Sequence, residues 1–389
     1  MYKNAIEILK ILEQNNHEAY IVGGFVRDKL LGKISNDIDI CTSATPKDII
    51  KLFDIITTSE TKYGTLSIIY KKNKYDITTF RKELKYEDNR KPVKIKYITD
   101  IKQDLLRRDF TINTLCINSK EEIMDLLNIK QDLNNKIIKT VGNPRYKIRE
   151  DALRILRAIR FASNLDFNID NKTKHYIKAY SKLLKKLSYQ RKKEELNKIF
   201  LSTNKEKGKQ LLLELKLANN LELNNLSNII MCNDVIGIWA QANVDNIYPF
   251  TKLEKEQMKK IRELLNKDIT DPYILYKYDL YIPSVVAEIN NIKKNKINKI
   301  YNNLPIHSKK EIDIKEIEIA NLLEKKPGLY LKEIFNDIEK KIIYKELENN
   351  KEQIMNYIIK EYKWHTLKWG VFFYEKNIYY MFIFINWMY

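Results

Sequence analysis

Glycine and proline are scarce in this chain, nine and eight among 389 residues. Both interrupt helices, so their scarcity, with long stretches of Leu, Ile, Lys and Glu, points to a largely helical protein. Cysteine is scarcer still. Cys41, Cys116 and Cys232 lie far apart, form no CxxC or Cys/His spacing and cannot build a disulfide framework. Nothing there suggests zinc, and a reducing cytoplasm fits. Long apolar runs are also missing. Asn377 to Tyr389 is an uncharged aromatic stretch of 13 residues, whereas a spanning helix needs roughly 20. Packing on the protein body is the expectation for it, and no stable membrane association is expected. The opening MYKNAIEILKILEQ carries charges inside an amphipathic pattern and does not read as a signal peptide. Acidic residues are outnumbered, 51 against 70 basic, for a formal net charge of +19. Such a charge favours an anionic partner, nucleic acid or an anionic membrane. Asn, Lys and Ile are abundant throughout, as an A/T-rich genome would produce, so surface lysine explains the charge equally well.

Up to about residue 145, strand and helix signals alternate. Glu18 to Val22 reads as a strand running into Gly23-Gly24 and a helix to Leu31. Asp37 to Cys41 alternates polar and apolar with period two, a strand signal. Pro46 opens a helix with Thr45 as its cap. Leu66 to Tyr70 and Tyr75 to Phe80 read as a strand pair across a Lys/Asn turn. Residues 81–98 are charged and irregular, and a mobile loop is expected there. Asp100 is placed to cap a short helix ending near Arg108. From about Tyr146, strand signals nearly vanish and apolar residues recur at three and four. The expected fold class is therefore α+β, a mixed α/β head followed by an all-helical remainder, with no internal repeat. Helix breaks are expected near Ser202-Thr203, Asn219-Asn220, Pro249, Pro305 and Pro327-Gly328. The length suits two or three domains at roughly 150 residues each.

Four short motifs stand out, each with an ordinary alternative when taken alone. Gly23-Gly24 before a helix lets a phosphate approach the backbone, where the first N–H groups lack partners. Arg27, one turn in, adds charge-assisted bonds to a triphosphate; a tight turn needs the same glycines. Asp37 and Asp39 sit two apart on a strand and face one way. Their mutual repulsion suits two Mg²⁺ ions bridging a triphosphate and an attacking hydroxyl; a solvated strand face would look alike. Asp76 opens a neighbouring strand segment and either adds a third carboxylate or caps the turn. Arg107-Arg108-Asp109 to Asn113 reads as a basic helix C-terminus or as Arg108 on a triphosphate, braced with the ribose by Asp109 and Asn113. Asp151 and Arg154 are neighbours at i, i+3, an ordinary salt bridge or a working pair. Arg157 and Arg160 continue a basic spiral.

Together, GGFVRD at 23–28, DID at 37–39, RRDFTIN at 107–113 and EDALRILRAIRF at 150–161 resemble the class II tRNA nucleotidyltransferase and poly(A) polymerase family of the polymerase-β superfamily, in order and in gaps. RKKEELNKIFLS at 191–202 looks like the family's neck. WAQANVDNIYPFTKLEK at 239–255 and ELENNKEQI at 346–354 look like the body and tail of bacterial CCA-adding enzymes. The resemblance covers about Met1 to Trp364. It implies a polymerase-β-like head over 1–145, a neck that recognises the base over 146–205, an RNA-binding body over 206–305, and a tRNA-binding tail over 306–389 that includes the unassigned aromatic end.

The resemblance further implies that Gly23, Gly24 and Arg27 contact the nucleotide, that Asp37 and Asp39 bind Mg²⁺, and that Arg108 reaches the triphosphate side. Asp151, Arg154, Arg157 and Arg160 would line the nucleotide pocket. Asp76 stands where Glu is the commoner family residue, which leaves its role open. Cytosine and adenine both present an amino donor beside a ring-nitrogen acceptor. Asp151 can accept from the first and Arg154 donate to the second, whereas guanine and uracil would set a carbonyl against the carboxylate. The activity implied is template-independent addition of C, C and A to tRNA from CTP and ATP with release of pyrophosphate. The full-length segment RKELKYEDNRKPVKI argues against CC-only addition, and Lys62-Tyr63-Gly64-Thr65-Leu66-Ser67 resembles the CCA-adding form over the poly(A) polymerase form. An A-adding member is not distinguished. Intact Asp37, Asp39 and Arg108 argue against a non-catalytic tRNA-binding protein. A membrane-surface protein would leave all four motifs unexplained. The oligomeric state stays open, a dimer included.

Overall fold

The computed structural model describes residues 1–57, 64–87 and 91–363. The aromatic stretch 377–389, Lys62-Tyr63 and the centre of segment 81–98 lie outside them. The chain divides into two compact units, Met1–Thr251 and Lys252–Tyr389.

The first unit starts with α1 (Tyr2–Gln14), whose Ala5, Ile6, Ile8, Leu9 and Leu12 form one buried stripe. Then come β1 (Ala19–Val22), α2 (Gly24–Leu30), β2 (Asp39–Thr42) and α3 (Pro46–Leu52). Thr45 and Asp48 cap α3 reciprocally, with the Thr45 N–H donating to Asp48 Oδ2 at 3.1 Å. Strands β3 (Ile55–Thr57), β4 (Thr65–Tyr70) and β5 (Asn73–Thr79) follow. The β4–β5 hairpin turns on Lys71 and Lys72, both at positive φ, as a two-residue hairpin loop demands. After β6 (Arg81–Glu87), β7 (Lys91–Tyr97) and α4 (Ile101–Arg107), short strands β8 (Cys116–Ile117) and β9 (Ile123–Met124) complete a seven-stranded sheet. Its order is β3-β4-β5-β2-β1-β8-β9, and β2 with β5 is the parallel pair. Asp100 caps α4 by accepting from the Lys102 N–H at 2.8 Å.

Two expectations change here. Segment 81–98 is a hairpin, β6 paired with β7 from Arg81↔Tyr97 to Glu87↔Lys91, and not an irregular loop. Lysines and glutamates between its apolar residues obscured the strand signal, and the ribbon forms a sheet of its own outside the seven-stranded one. Strand β2 starts at Asp39, so Asp37 lies just ahead of it. The period-two alternation survives this shift: Ile38 and Ile40 are buried while Asp37 and Asp39 are exposed.

The helices take over with α5 (Lys130–Asn134), and β10 (Ile137–Ile138) precedes α6 (Pro144–Glu150) and α7 (Leu153–Leu165). Strand β11 (Asn168–Ile169) pairs in parallel with β10, one small strand inside the region expected to be all helix. Helices α8 (Asn171–Ala179), α9 (Tyr189–Phe200), α10 (Lys205–Glu214) and α11 (Val235–Ala242) finish the unit. Helix α7 packs on α9 and α10. Trp239 of α11 is fully buried between Phe200, Tyr248 and Phe250 and donates to Asn197 Oδ1 at 2.7 Å.

The second unit is helical throughout its described residues: α12 (Lys252–Leu264), α13 (Pro272–Tyr278), α14 (Tyr281–Ile289), α15 (Lys294–Asn302), α16 (Glu316–Leu322), α17 (Tyr330–Ile343) and α18 (Lys351–Ile358). The breaks expected near 202, 219, 249, 305 and 327 all fall between α-helices. Among the described residues no helix is long and apolar enough to cross a membrane.

Gly208 marks a close helix crossing in the first unit. A Cβ there would stand 2.6 Å from Ile199 Cγ2 and 3.3 Å from Ser163 Cβ. Ile199 is fully buried and branched at Cβ, so it cannot swing away. Gly208→Ala should therefore lower stability by about 1–3 kcal/mol through overpacking, despite alanine's better helix propensity. A urea midpoint equal to or above the parent's would show that the crossing has slack.

Candidate active site

The sheet brings the first two motifs together. In the antiparallel β1–β2 pair, Val22 lies opposite Asp39, so the end of β1 meets the start of β2. The chain then turns through Gly23 at φ 80° into α2. A Cβ at Gly23 would be 3.4 Å from Asp39 Oδ2 and 3.7 Å from Arg108 Nη1, so glycine both permits the turn and opens the space. In the parallel β2–β5 pair, Asp76 stands level with Asp39.

Here a cleft of about 540 Å³ opens. Gly23, Gly24, Arg27, Asp37, Asp39, Arg108, Asp109, Asn113, Asp151, Arg154, Arg157 and Arg160 all line it, so twelve of the thirteen residues singled out in the sequence converge. Asp76 does not line it. Its Oδ1 accepts from Ser67 Oγ at 2.5 Å and lies 3.6 Å from Lys74 Nζ.

Six arginines face this space, and each is held by a carboxylate. Arg27 pairs with Asp28 at 2.7 Å and donates to Asn113 Oδ1 at 2.7 Å. Asp104, fully buried, accepts from Arg107 Nε at 2.8 Å and Arg108 Nη2 at 3.3 Å, and from the Arg81 N–H at 3.1 Å. Arg154 pairs with Glu150 at 2.9 Å and donates to the Lys147 carbonyl at 2.7 Å. Arg157 Nε donates to Asp109 Oδ2 at 2.6 Å, and Arg160 Nη1 to Glu195 Oε1 at 3.0 Å. The ring of Phe161 lies among three of these cations, 5.3 Å from Arg27, 5.4 Å from Arg157 and 4.6 Å from Arg160. Each contact is of the cation–π kind, which is stronger where water is excluded.

These pairings set the charge states. Burial works against ionised Asp109, but Arg157 outweighs it and holds the carboxyl below its ordinary range. Burial likewise opposes charge on Arg108, and Asp104 restores it, leaving the guanidinium above its ordinary value. Asp151 is shifted the other way: burial raises its pKa over the opposing pull of the Leu153 N–H, Arg154 and Arg157. Asp39 is the extreme case. Burial, then Asp37 and Asp76, push it up to about 6, with Arg108 pulling against them. Its carboxylate is open to the cleft yet walled by protein elsewhere, so it lacks both full hydration and a close cation.

Sequence reasoning missed several supporting residues. Asp104 stands at i−3 and i−4 from Arg107 and Arg108, a spacing that a search for helix ion pairs would catch. Glu83 and Phe161 also line the cleft. Glu195 is 35 residues from Arg160, and no local pattern announces it.

Residues 19–139 match the Poly A polymerase head domain, residues 166–226 match a domain described as a probable RNA and SrmB-binding site of polymerase A, and residues 257–358 match tRNA nucleotidyltransferase domain 2. The CCA-adding enzyme of Anoxybacillus flavithermus is 34% identical over 385 residues, covering 91% of this chain and 96% of that one. The CCA-adding enzyme of Bacillus cytotoxicus is 32% identical over 388 residues, covering 92% and 98%. The chain belongs to the CCA-adding enzyme family. Its fold agrees: the structure of the Bacillus stearothermophilus CCA-adding enzyme in complex with CTP superposes with a TM-score of 0.83 at 24% identity, covering 94% of this chain and 99% of that one. The Thermotoga maritima CCA-adding enzyme complexed with tRNA gives 0.65 at 21% identity, covering 91% and 94%.

Members of this family are nucleotidyltransferases, which generally use divalent metal. The donor set fits such a cation. Asp37 and Asp39 repel each other, and burial together with that repulsion raises the pKa of Asp39 against the pull of Arg108. Among the described residues no group of three or more His, Cys, Asp or Glu is placed to hold a metal unaided. A small hard cation needs no such cage, since one or two carboxylates and phosphate oxygens suffice.

The sign of the Asp39 shift gives a test. Folded Asp39 holds its proton up to about pH 6 against 3.8 as the ordinary value, so the native state binds more protons between those limits. Stability contributed by this site falls as pH climbs from about 4 to about 6. In chelator at pH 7, Asp39→Asn should therefore melt at or above the parent, and the difference should shrink at pH 4. Nucleotide addition by the same variant should be lost. A lower melting temperature at pH 7 would contradict this account of the carboxylate pair.

Proposed function

We propose that this chain adds C, C and then A to the 3′ end of tRNA, taking CTP and ATP and releasing pyrophosphate. The observation that carries the reading is one cleft holding the Asp37/Asp39 pair together with the Asp151–Arg154 step and an arginine lining. The tRNA complex of the Thermotoga maritima relative and the CTP complex of the Bacillus stearothermophilus relative support the substrates. The division into head (1–145), neck (146–205), body (206–305) and tail (306–389) goes with this reading. So does a cytoplasmic setting, supported by three buried free cysteines.

The geometry supports the following roles. The N–H groups at Gly23 and Gly24 and the guanidinium groups of Arg27 and Arg108 receive the triphosphate. Asp109 and Asn113 brace Arg157 and Arg27 and face the ribose. Asp37 and Asp39 would hold Mg²⁺, which when bound would offset the triphosphate charge and lower the pKa of the RNA's 3′ hydroxyl. Asp76, bonded to Ser67 and level with Asp39, raises the affinity of that carboxylate pair for a cation. Arg154, fixed by Glu150 and the Lys147 carbonyl, presents a donor beside the Asp151 acceptor. That donor and acceptor together match the edges of cytosine and adenine.

Incubating tRNA that lacks its 3′ end with each nucleotide alone and in pairs tests the reading. Products extended by CC with CTP, and by CCA with CTP plus ATP, are expected. The same gel separates this from A-only addition and from poly(A) synthesis. Asp151→Ala should raise misincorporation of UTP or GTP relative to CTP by about one to two orders of magnitude, the worth of one polar partner in a pocket at roughly 1–3 kcal/mol. An unchanged preference order would remove Asp151 from base selection.

A further inference from the structure

Away from the cleft, α6 and α8 pack together and turn a second chemistry-bearing face outward. On α8, Lys172, Tyr176 and its C-cap Tyr180 are spaced by four and share a face. On α6, Arg145 and Arg149 are spaced the same way. The two rows meet: Arg145 is hydrogen-bonded to the Tyr180 side chain, and the Arg149 guanidinium sits 6.0 Å from the Tyr180 ring. Tyr176 and Tyr180 stack at 6.1 Å with 12° between planes, and His175 meets Tyr176 edge-on at 5.0 Å. Next to them Lys139, Lys172, His175 and Tyr176 line a cleft of about 660 Å³, within the roughly 300–1,000 Å³ of small-ligand sites. The carboxylate in its lining, Asp170, already accepts from the N–H and hydroxyl of Thr173 at 2.9 and 3.1 Å. Lys139 and Lys172 are exposed.

We propose that this face binds an unpaired nucleotide of the RNA substrate, its base against Tyr176 and His175 and its phosphates against Lys139 and Lys172. Aromatic rings interleaved with cations are what single-stranded nucleic acid recognition needs, because every base has a face to stack and every link carries charge. A membrane surface is not matched: the isoleucines of the two helices, Ile148 and Ile177, are both buried, and an interfacial helix would expose such residues. The position is also apt. Asp151, in the lining of the first cleft, caps the C-terminal end of α6. Helix α6 has seven residues, so about 10 Å of helix separates the two sites. An RNA whose 3′ end enters the first cleft passes this face with an upstream nucleotide.

The inference rests on RNA being the substrate, and the test separates the two. Binding and extension of tRNA lacking its 3′ end are measured for the parent, Tyr176→Ala, Tyr176→Phe and the double variant Lys139→Glu, Lys172→Glu. Tyr176→Ala should weaken tRNA binding roughly tenfold, as loss of one stacked base does, while Tyr176→Phe stays close to the parent. The double variant should weaken binding and flatten its dependence on KCl by about two units of logarithmic slope. The KM for CTP at saturating tRNA should not change in any variant. If the parent neither binds nor extends tRNA, the functional reading itself fails. If the parent does both and the variants bind as it does, this face is not an RNA site. Equal weakening by Tyr176→Ala and Tyr176→Phe would overturn base stacking, and a raised KM for CTP would mean that the changes act through the first cleft.

Discussion

The structure of the cleft depends on the pairing of each lining arginine with a carboxylate. Six guanidinium groups around about 540 Å³ would repel one another and collapse or splay the walls if they stood alone. Asp28, Asp104, Asp109, Glu150 and Glu195 hold them in place along the lining. Deleting one partner of such a buried pair leaves an uncompensated charge, which costs about 3–5 kcal/mol where burial is complete. The array is therefore structural and electrostatic at once: it keeps the walls apart and keeps them positive.

At the other side of the cleft the logic is reversed. Among the described residues Asp37 and Asp39 form no such ion pair, and Arg108 is engaged by Asp104. The sheet register fixes this imbalance. Val22 opposite Asp39 and Asp76 level with Asp39 bring two carboxylates to one sheet end, and Asp37 just ahead of β2 adds a third negative group. Folding thus concentrates negative charge beside a positively lined space, a division that suits a cation and a polyanion arriving together.

Much of this was legible in the sequence because the motif residues are local. Twelve of the thirteen residues singled out as words of a few letters line the cleft, and period-two alternation placed Asp37 and Asp39 on one face even though β2 starts at Asp39. The order of head and helices followed from the change of periodicity near Tyr146. What was not legible is whatever acts over long separations. Glu195 supports Arg160 from another helix, and Asp76 pairs away from the cleft with Ser67. The β6–β7 hairpin was hidden for another reason: charged residues crowd segment 81–98 and mask the short alternation of Val93, Ile95 and Tyr97 among them.

The long-range pairing of Arg160 has a consequence for biosynthesis. All four motifs have left the ribosome's catalytic centre once residue 161 is made, yet the carboxylate that holds Arg160 arrives only with Glu195 on α9. Until α9 has emerged and docked on α7, Arg160 stands beside Phe161 without its counterweight, while Arg27 and Arg157 already have Asp28 and Asp109. A nascent chain carrying every signature residue thus still lacks one member of the array, the carboxylate that Glu195 brings from α9.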